Sequence, residues 1–315
     1  MNPSRASFLA AAGAVAATVP IAALGQTARI SVGSSAIDAS MPLIVAQRQG
    51  FFTKRGLDVD VVINSGAANA AAVAGGSLQF AAANLVTLFK AHLNGVAFQI
   101  VAPTSVYSSD NPTQVLLVRA DSGFKSAADL NGKTISVTTI GDLLSVSTLA
   151  WIDQNGGSSS TVKLVELPPQ AQAAALESGR VQASALAEPF LSSALSAGTL
   201  RVFGKIFDAI GPRFLEAAYF GMPDFINANR DTVRKFASAI LEGGVFANAH
   251  QDRTLPYLVE VAKIDPAVAK RSRRELFAET LDPALIQSEI DALVRLKILD
   301  RGFSAKEMIS AAILR

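Results

Sequence analysis

The 315-residue chain has no cysteine and only two histidines, His92 and His250, each isolated. Thiolate nucleophiles, thiolate metal sites and redox motifs are therefore outside its chemistry. No Ser/His/Asp set, metal-ligand cluster or phosphate-binding loop stands in their place. The sequence offers instead short polar segments that each follow an apolar run: Ser34-Ser35-Ala36-Ile37-Asp38-Ala39-Ser40, Asn64-Ser65-Gly66-Ala67, Asn84, Thr138-Thr139-Ile140-Gly141-Asp142 and Ala187-Glu188. Hydroxyls, amides and free backbone N–H groups at helix starts can hold a polar or anionic head group without a full opposing charge. Taken singly, each of these residues suits ordinary helix capping. Their recurrence after successive strands points to binding rather than bond-making, with no catalytic residue, metal or cofactor.

Those segments require elements that carry them to one place. Ala28 to Gly33 alternates apolar and polar as a strand does, and Met41 to Gln49 has a helical pattern ended by Gly50. Leu57 to Ile63 is a β-branched run, Ala67 to Ala74 an alanine-rich helix, Leu78 to Ala83 a strand, Leu85 to Leu93 a helix and Phe98 to Ala102 a strand. Strands alternating with helices at this spacing predict parallel βαβ units. A second cycle follows Val115–Val118, with strands at 134–137, 162–166, 181–185 and 200–204 and helices at 143–154, 171–178 and 189–196. Ala217 to Gly221 reads as a strand returning to the first unit. From Pro223 the chain is helical, with breaks expected at Pro256, Pro266 and Pro283.

The predicted fold is α/β and two-lobed. Lobe one takes 26–112 plus 223–315, lobe two takes 120–213, and the chain crosses between them at 113–119 and 214–222. Two crossings make a hinge, and hinge closure around a ligand follows.

Half of the residues are apolar and the formal charge is +2, which excludes disorder. Few aromatics and no Lys/Arg stripe argue against nucleic acid as a partner. The first 25 residues read as a signal peptide. Arg5 precedes an uncharged run from Phe8 to Leu24, and Ala23 and Gly25 are the small residues a signal peptidase needs before Gln26. A membrane anchor is the alternative, but the run sits at the short edge of the ~17–25 residues that span a bilayer.

Three segments carry a resemblance. Met41-Pro42-Leu43-Ile44-Val45-Ala46-Gln47-Arg48-Gln49-Gly50-Phe51-Phe52-Thr53-Lys54-Arg55-Gly56-Leu57-Asp58-Val59, then Asp129-Leu130-Asn131-Gly132-Lys133-Thr134-Ile135-Ser136-Val137, then Ala187-Glu188-Pro189-Phe190 resemble in order and spacing the nitrate/sulfonate/taurine-type ABC transporter binding proteins. The resemblance implies a type II periplasmic binding protein fold and a monomer. It also implies periplasmic localisation, a small organic solute as ligand, anionic or heteroaromatic, and a permease in the inner membrane as partner. Phe51 and Phe52 read as core residues, and Glu188 either lines the cleft or starts a helix.

In open α/β sheets ligands bind beyond the carboxyl ends of the strands. That rule selects Ser35, Ala36, Met41, Ser65, Gly66, Asn84, Thr139, Gly141 and Glu188 as ligand-binding residues, with Leu144 and Tyr219 as further apolar lining. Arg119 and Arg213 lie near the crossings and either meet a carboxylate or face solvent. Where sulfonate and nitrate binders usually show a Gly-Ser-Thr-like turn, this chain has Gly141-Asp142-Leu143. Asp142 either faces the cleft, where it repels an anion, or caps the following helix. Small inorganic anions therefore fit less well than an organic ligand. Two other readings remain: an exported sensor serving a signalling partner, and an enzyme of the related pyrimidine-synthase fold, for which the cysteine motif is missing.

Overall fold

A computed structural model describes residues 27–313, so the signal peptide expected over 1–25 lies outside the described residues. The first sheet has the strand order Leu57–Ile63, Ala28–Ser34, Phe80–Asn84, Ala217–Gly221, Gln99–Pro103. Its first three strands run parallel, and Ala217–Gly221 is inserted antiparallel to both its neighbours. The second sheet repeats the plan, ordered Lys163–Glu166, Thr134–Val137, Ala183–Ala187, Gln114–Arg119, Leu200–Gly204. There the first three strands are again parallel and Gln114–Arg119 is the antiparallel insertion. The α/β fold class stands, and each sheet takes in one antiparallel strand from outside its βαβ cycle: Ala217–Gly221, expected as a strand returning to the first unit, and Gln114–Arg119. A strand arriving from the other lobe enters from the hinge side and so runs against its neighbours.

A third sheet joins the lobes. Ser105–Ser108 is its centre, with Arg213–Leu215 and Leu276–Phe277 antiparallel on either side. This corrects the first crossing. Residues 114–119, expected to lie between the lobes, form a central strand of the second sheet, and Leu116, Leu117 and Val118 are wholly buried. The chain passes between the lobes before that strand, through the segment that includes Ser105–Ser108.

The helical tail also departs from expectation. Pro266 and Pro283 do open helices, at Pro266–Arg271 and Pro283–Arg295. Pro256 lies inside Gln251–Ala262, and the break falls instead at His250. Burial of Thr254, Leu258 and Ala262 holds that helix against Met41–Arg48 despite the lost backbone donor. Leu276–Phe277 is extended because Ser105–Ser108 offers it a partner.

Core packing fixes the loops. Phe52 stacks on Phe236, which also stacks on Phe80, so Phe51 and Phe52 are buried core residues. Helix Met41–Arg48 meets helix Arg230–Ala249 at Gly243, where a Cβ would stand 2.1 Å from the Pro42 carbonyl oxygen. Only glycine permits that approach. The helix that follows the first cleft loop is thereby anchored from behind.

Candidate functional site

The five polar loops all lie at carboxyl ends of strands, three in the first lobe and two in the second. In the first lobe the Asn64 N–H donates to the Ser34 carbonyl at 2.8 Å and Ser35 Oγ donates to the Asn64 carbonyl at 3.2 Å, tying two loops together. Ser65 and Asn84 are helix N-caps, accepting from Ala68 N (3.3 Å) and Thr87 N (3.0 Å). Their side chains are thus committed to the backbone, while Ser65 remains exposed and Asn84 and Gly66 half-buried. Ser35 and Ala36 are half-buried as well.

The second lobe contributes Thr139, which is exposed, and Gly141, whose φ of +88° demands glycine's freedom. Asp142 resolves to the cap: its Oδ1 accepts from Ser145 N at 2.9 Å. Burial pushes its carboxyl up to about 6, against the pull of the Ser145 hydrogen bonds and of Lys90. Glu188 is buried and accepts from Ser192 Oγ (2.8 Å) and Ser192 N (3.1 Å). It also accepts from Arg273 N at 3.3 Å, so it ties the second lobe to the first. Burial raises its carboxyl above the ordinary range, opposed by the Ser192 bonds.

Several expected residues are not at the surface of this site. Met41 and Tyr219 are wholly buried and pack in the first-lobe core, because the helix start at Met41 turns inward onto Arg230–Ala249. They form the floor under the loops rather than an open wall. Leu144 is buried too. Arg119 pairs with Asp121 on the surface, and Arg213 is exposed on the hinge sheet. His92 lies beside Phe303, with its Nε2 3.7 Å from a Glu307 carboxyl oxygen, a packing role.

Sequence reasoning missed Lys90. On helix Leu85–Leu93 it reaches across to donate from Nζ to the Gly141 carbonyl at 2.7 Å, joining the two lobes at the mouth. Burial lowers its ammonium, and Asp142 partly offsets that. The sequence signal was there: Lys90 and His92 are the only ionisable side chains on a helix whose other face is core. It also missed Asp38, accepted as a loop residue but in fact buried and clasped by Arg274 through Nε (2.9 Å) and Nη2 (2.7 Å). No spacing links residues so far apart in the chain.

Apolar side chains also collect at these strand ends. Ile37, Ile63 and Ile140 are 36%, 46% and 53% exposed, three of the five large hydrophobic side chains exposed among the described residues. All three belong to, or directly adjoin, the polar loops. Two grooves open elsewhere, one of about 380 Å³ between helix Leu143–Gln154 and Leu296 and Ile298, the other of about 540 Å³ along 208–214 and helix Pro283–Arg295. Neither includes a residue of the five loops. The loops are the better candidate because both sheets aim their carboxyl ends there and both lobes meet there.

Comparison with known proteins shows a family and a fold. The family described as NMT1/THI5 like matches residues 38–254, which spans four of the five loops in full and the last three residues of the other. A binding protein of Brucella abortus is 28% identical over 233 residues, 71% of this chain and 68% of that one. The alkanesulfonate-binding protein of Xanthomonas axonopodis pv. citri, solved bound to MOPS, superposes with a TM-score of 0.73 at 18% identity, covering 90% of this chain and 99% of that one. The periplasmic nitrate-binding protein of Synechocystis gives 0.73 at 15% identity, covering 91% and 87%.

Proposed function

From the premise that this chain belongs to the NMT1/THI5-like family, we propose that it is the extracytoplasmic solute-binding subunit of an ABC importer. It takes a small organic solute between its lobes, works in the periplasm and delivers the solute to an inner-membrane permease. The observation that carries this reading is the mixed lining at the strand ends: Ile37, Ile63 and Ile140 exposed beside Ser65, Thr139 and the Lys90 ammonium, from both lobes. Apolar lining with a few polar anchors suits an organic ligand. A bare inorganic anion would leave three isoleucines against water.

Closure requires a ligand that touches both lobes, since only differential affinity shifts the open–closed balance. The first lobe offers Ser35, Ala36, Ser65, Gly66 and Asn84. The second offers Thr139 and Gly141, with Glu188 behind them. The relatives' names, a binding protein and an alkanesulfonate-binding protein, support a solute role and an organic ligand with a polar head.

The test is thermal unfolding against alkanesulfonates, aliphatic and aromatic carboxylates, nitrate, pyrimidines and purines. A saturable rise in midpoint with an organic compound, following RT ln(1 + [L]/Kd), is expected. A rise with nitrate alone would overturn the organic reading. Thr139→Ala should weaken binding of the active compound while leaving the apo midpoint near wild type; unchanged affinity removes Thr139 from the site.

A further inference from the structure

Where the chain crosses between the lobes, three glutamates are shut away from water: Glu216 (5% exposed), Glu275 (3%) and Glu289 (0%). Glu216 follows strand Arg213–Leu215 directly, Glu275 directly precedes Leu276–Phe277, and Glu289 sits on helix Pro283–Arg295, which packs against Arg213–Leu215. One amide holds two of them. Gln114 Nε2 donates to Glu216 Oε2 at 2.8 Å and to Glu275 Oε1 at 3.1 Å, while its own Oε1 accepts from Thr113 Oγ1 at 2.8 Å. Glu216 Oε1, Glu275 Oε2 and both carboxyl oxygens of Glu289 have no protein partner.

Among the described residues the surroundings supply no free cation. Glu216 faces Glu275 and Glu289, and Tyr107, whose phenol donates to Asp208 at 2.6 Å, lies within its field. Glu275 faces Glu216, Asp38 and Glu188, with the Thr113 hydroxyl beside it. Arg274 is the guanidinium at hand, and both its Nε and Nη2 are already on Asp38. Buried carboxylates this close cannot all be ionised. Among the described residues no group of three or more His, Asp or Glu side chains is placed to hold a metal ion. The remaining cation is the proton.

We propose that this junction is a proton-binding site that couples lobe closure to pH: Glu216 and Glu275 share a proton under the Gln114 amide, Glu289 stays neutral, and loss of these protons drives the lobes apart. The coupling follows from where the groups reside. Gln114 and Glu188 belong to second-lobe strands or loops, Asp38 and Glu275 to first-lobe segments, and Glu216 to the return crossing. Opening separates them and admits the water that ionised carboxylates need.

The direction of titration agrees. Burial first, then any ionisation of neighbouring Glu289, pushes Glu216 up from 4.5 to about 8, and burial holds Glu275 and Glu289 well above the ordinary range. Between 4.5 and about 8 the closed state therefore binds more protons than an open or unfolded one. Closure is favoured on the acid side and lost as pH rises through about 8.

The test needs no ligand, so it stands apart from the solute reading. Small-angle scattering on the whole chain should show a larger radius of gyration at about pH 9.5 than at about pH 5.5, with far-ultraviolet circular dichroism unchanged. The double variant Glu216→Gln/Glu275→Gln keeps the hydrogen-bond shape without the charge and should keep one radius across that range. A wild-type radius independent of pH, an equal expansion in the double variant, or expansion in step with loss of the helical signal would each overturn the coupling. Should the double variant not fold, Glu289→Gln carries the test: a smaller alkaline expansion than wild type supports the proposal, and an identical one overturns it.

Discussion

The mouth of the cleft and the junction beneath it use charge in opposite ways. At the mouth, Lys90 and Asp142 are close to solvent or to a helix terminus, each with a local hydrogen bond, and between them they join the lobes by one 2.7 Å contact to a carbonyl. At the junction, Asp38, Arg274, Glu216, Glu275 and Glu289 are buried, and several of their oxygens lack partners. The mouth is the easier of the two to break and remake. The junction is an all-or-none arrangement, because a buried charge left without a partner costs several times a surface one.

That contrast can be broken by substitution. Arg274→Met should have the largest effect: it strands the Asp38 carboxylate and should destabilise by about 3–5 kcal/mol in denaturant unfolding. Adding Asp38→Leu should recover part of the loss; no recovery would mean that Arg274 acts mainly through packing. Glu289→Met should go the other way, stabilising by roughly 1–3 kcal/mol, because it removes a carboxyl with no partner for either oxygen. A destabilising outcome would show that Glu289 is satisfied by groups such as bound water.

At the mouth the effects shrink. Asp142→Ala should cost about 0.5–2 kcal/mol through the lost cap. Asp142→Asn keeps the cap and removes the charge. Because burial raises Asp142 from 3.8 to about 6, its contribution is present below about 3.8 and lost as pH rises through about 6. The Asn variant should therefore flatten the fall in unfolding midpoint across that window. Lys90→Met should cost less than about 1 kcal/mol, since one half-exposed hydrogen bond is lost. A larger loss would make Lys90 a structural tie between the lobes.

How much of this was legible in the residues depends on the range of the interaction. Leu57–Ile63, Leu85–Leu93, Thr134–Val137 and Leu143–Gln154 fall where periodicity puts them, because each is decided by neighbours a few positions away. The Asp142 cap was one of two readings open to the sequence, and a single local hydrogen bond decided it. Gln114–Arg119 was misplaced as a crossing because a fully buried central strand and a linker are told apart only by what lies on either side. Pro256 was misread as a break for the same reason: tertiary burial of its helix outweighed one missing donor.

By itself the sequence determined the α/β cycles, the returning strand at Ala217–Gly221 and the loops that follow the strands, since all of these are properties of short segments. Only the tertiary structure decided that Lys90 meets Gly141, that Arg274 clasps Asp38, and that Gln114 gathers Glu216 and Glu275. Those partners are 51, 236, 102 and 161 residues apart. No local pattern encodes a contact across such distances; it exists only because two crossings fold three distant segments onto one hinge sheet.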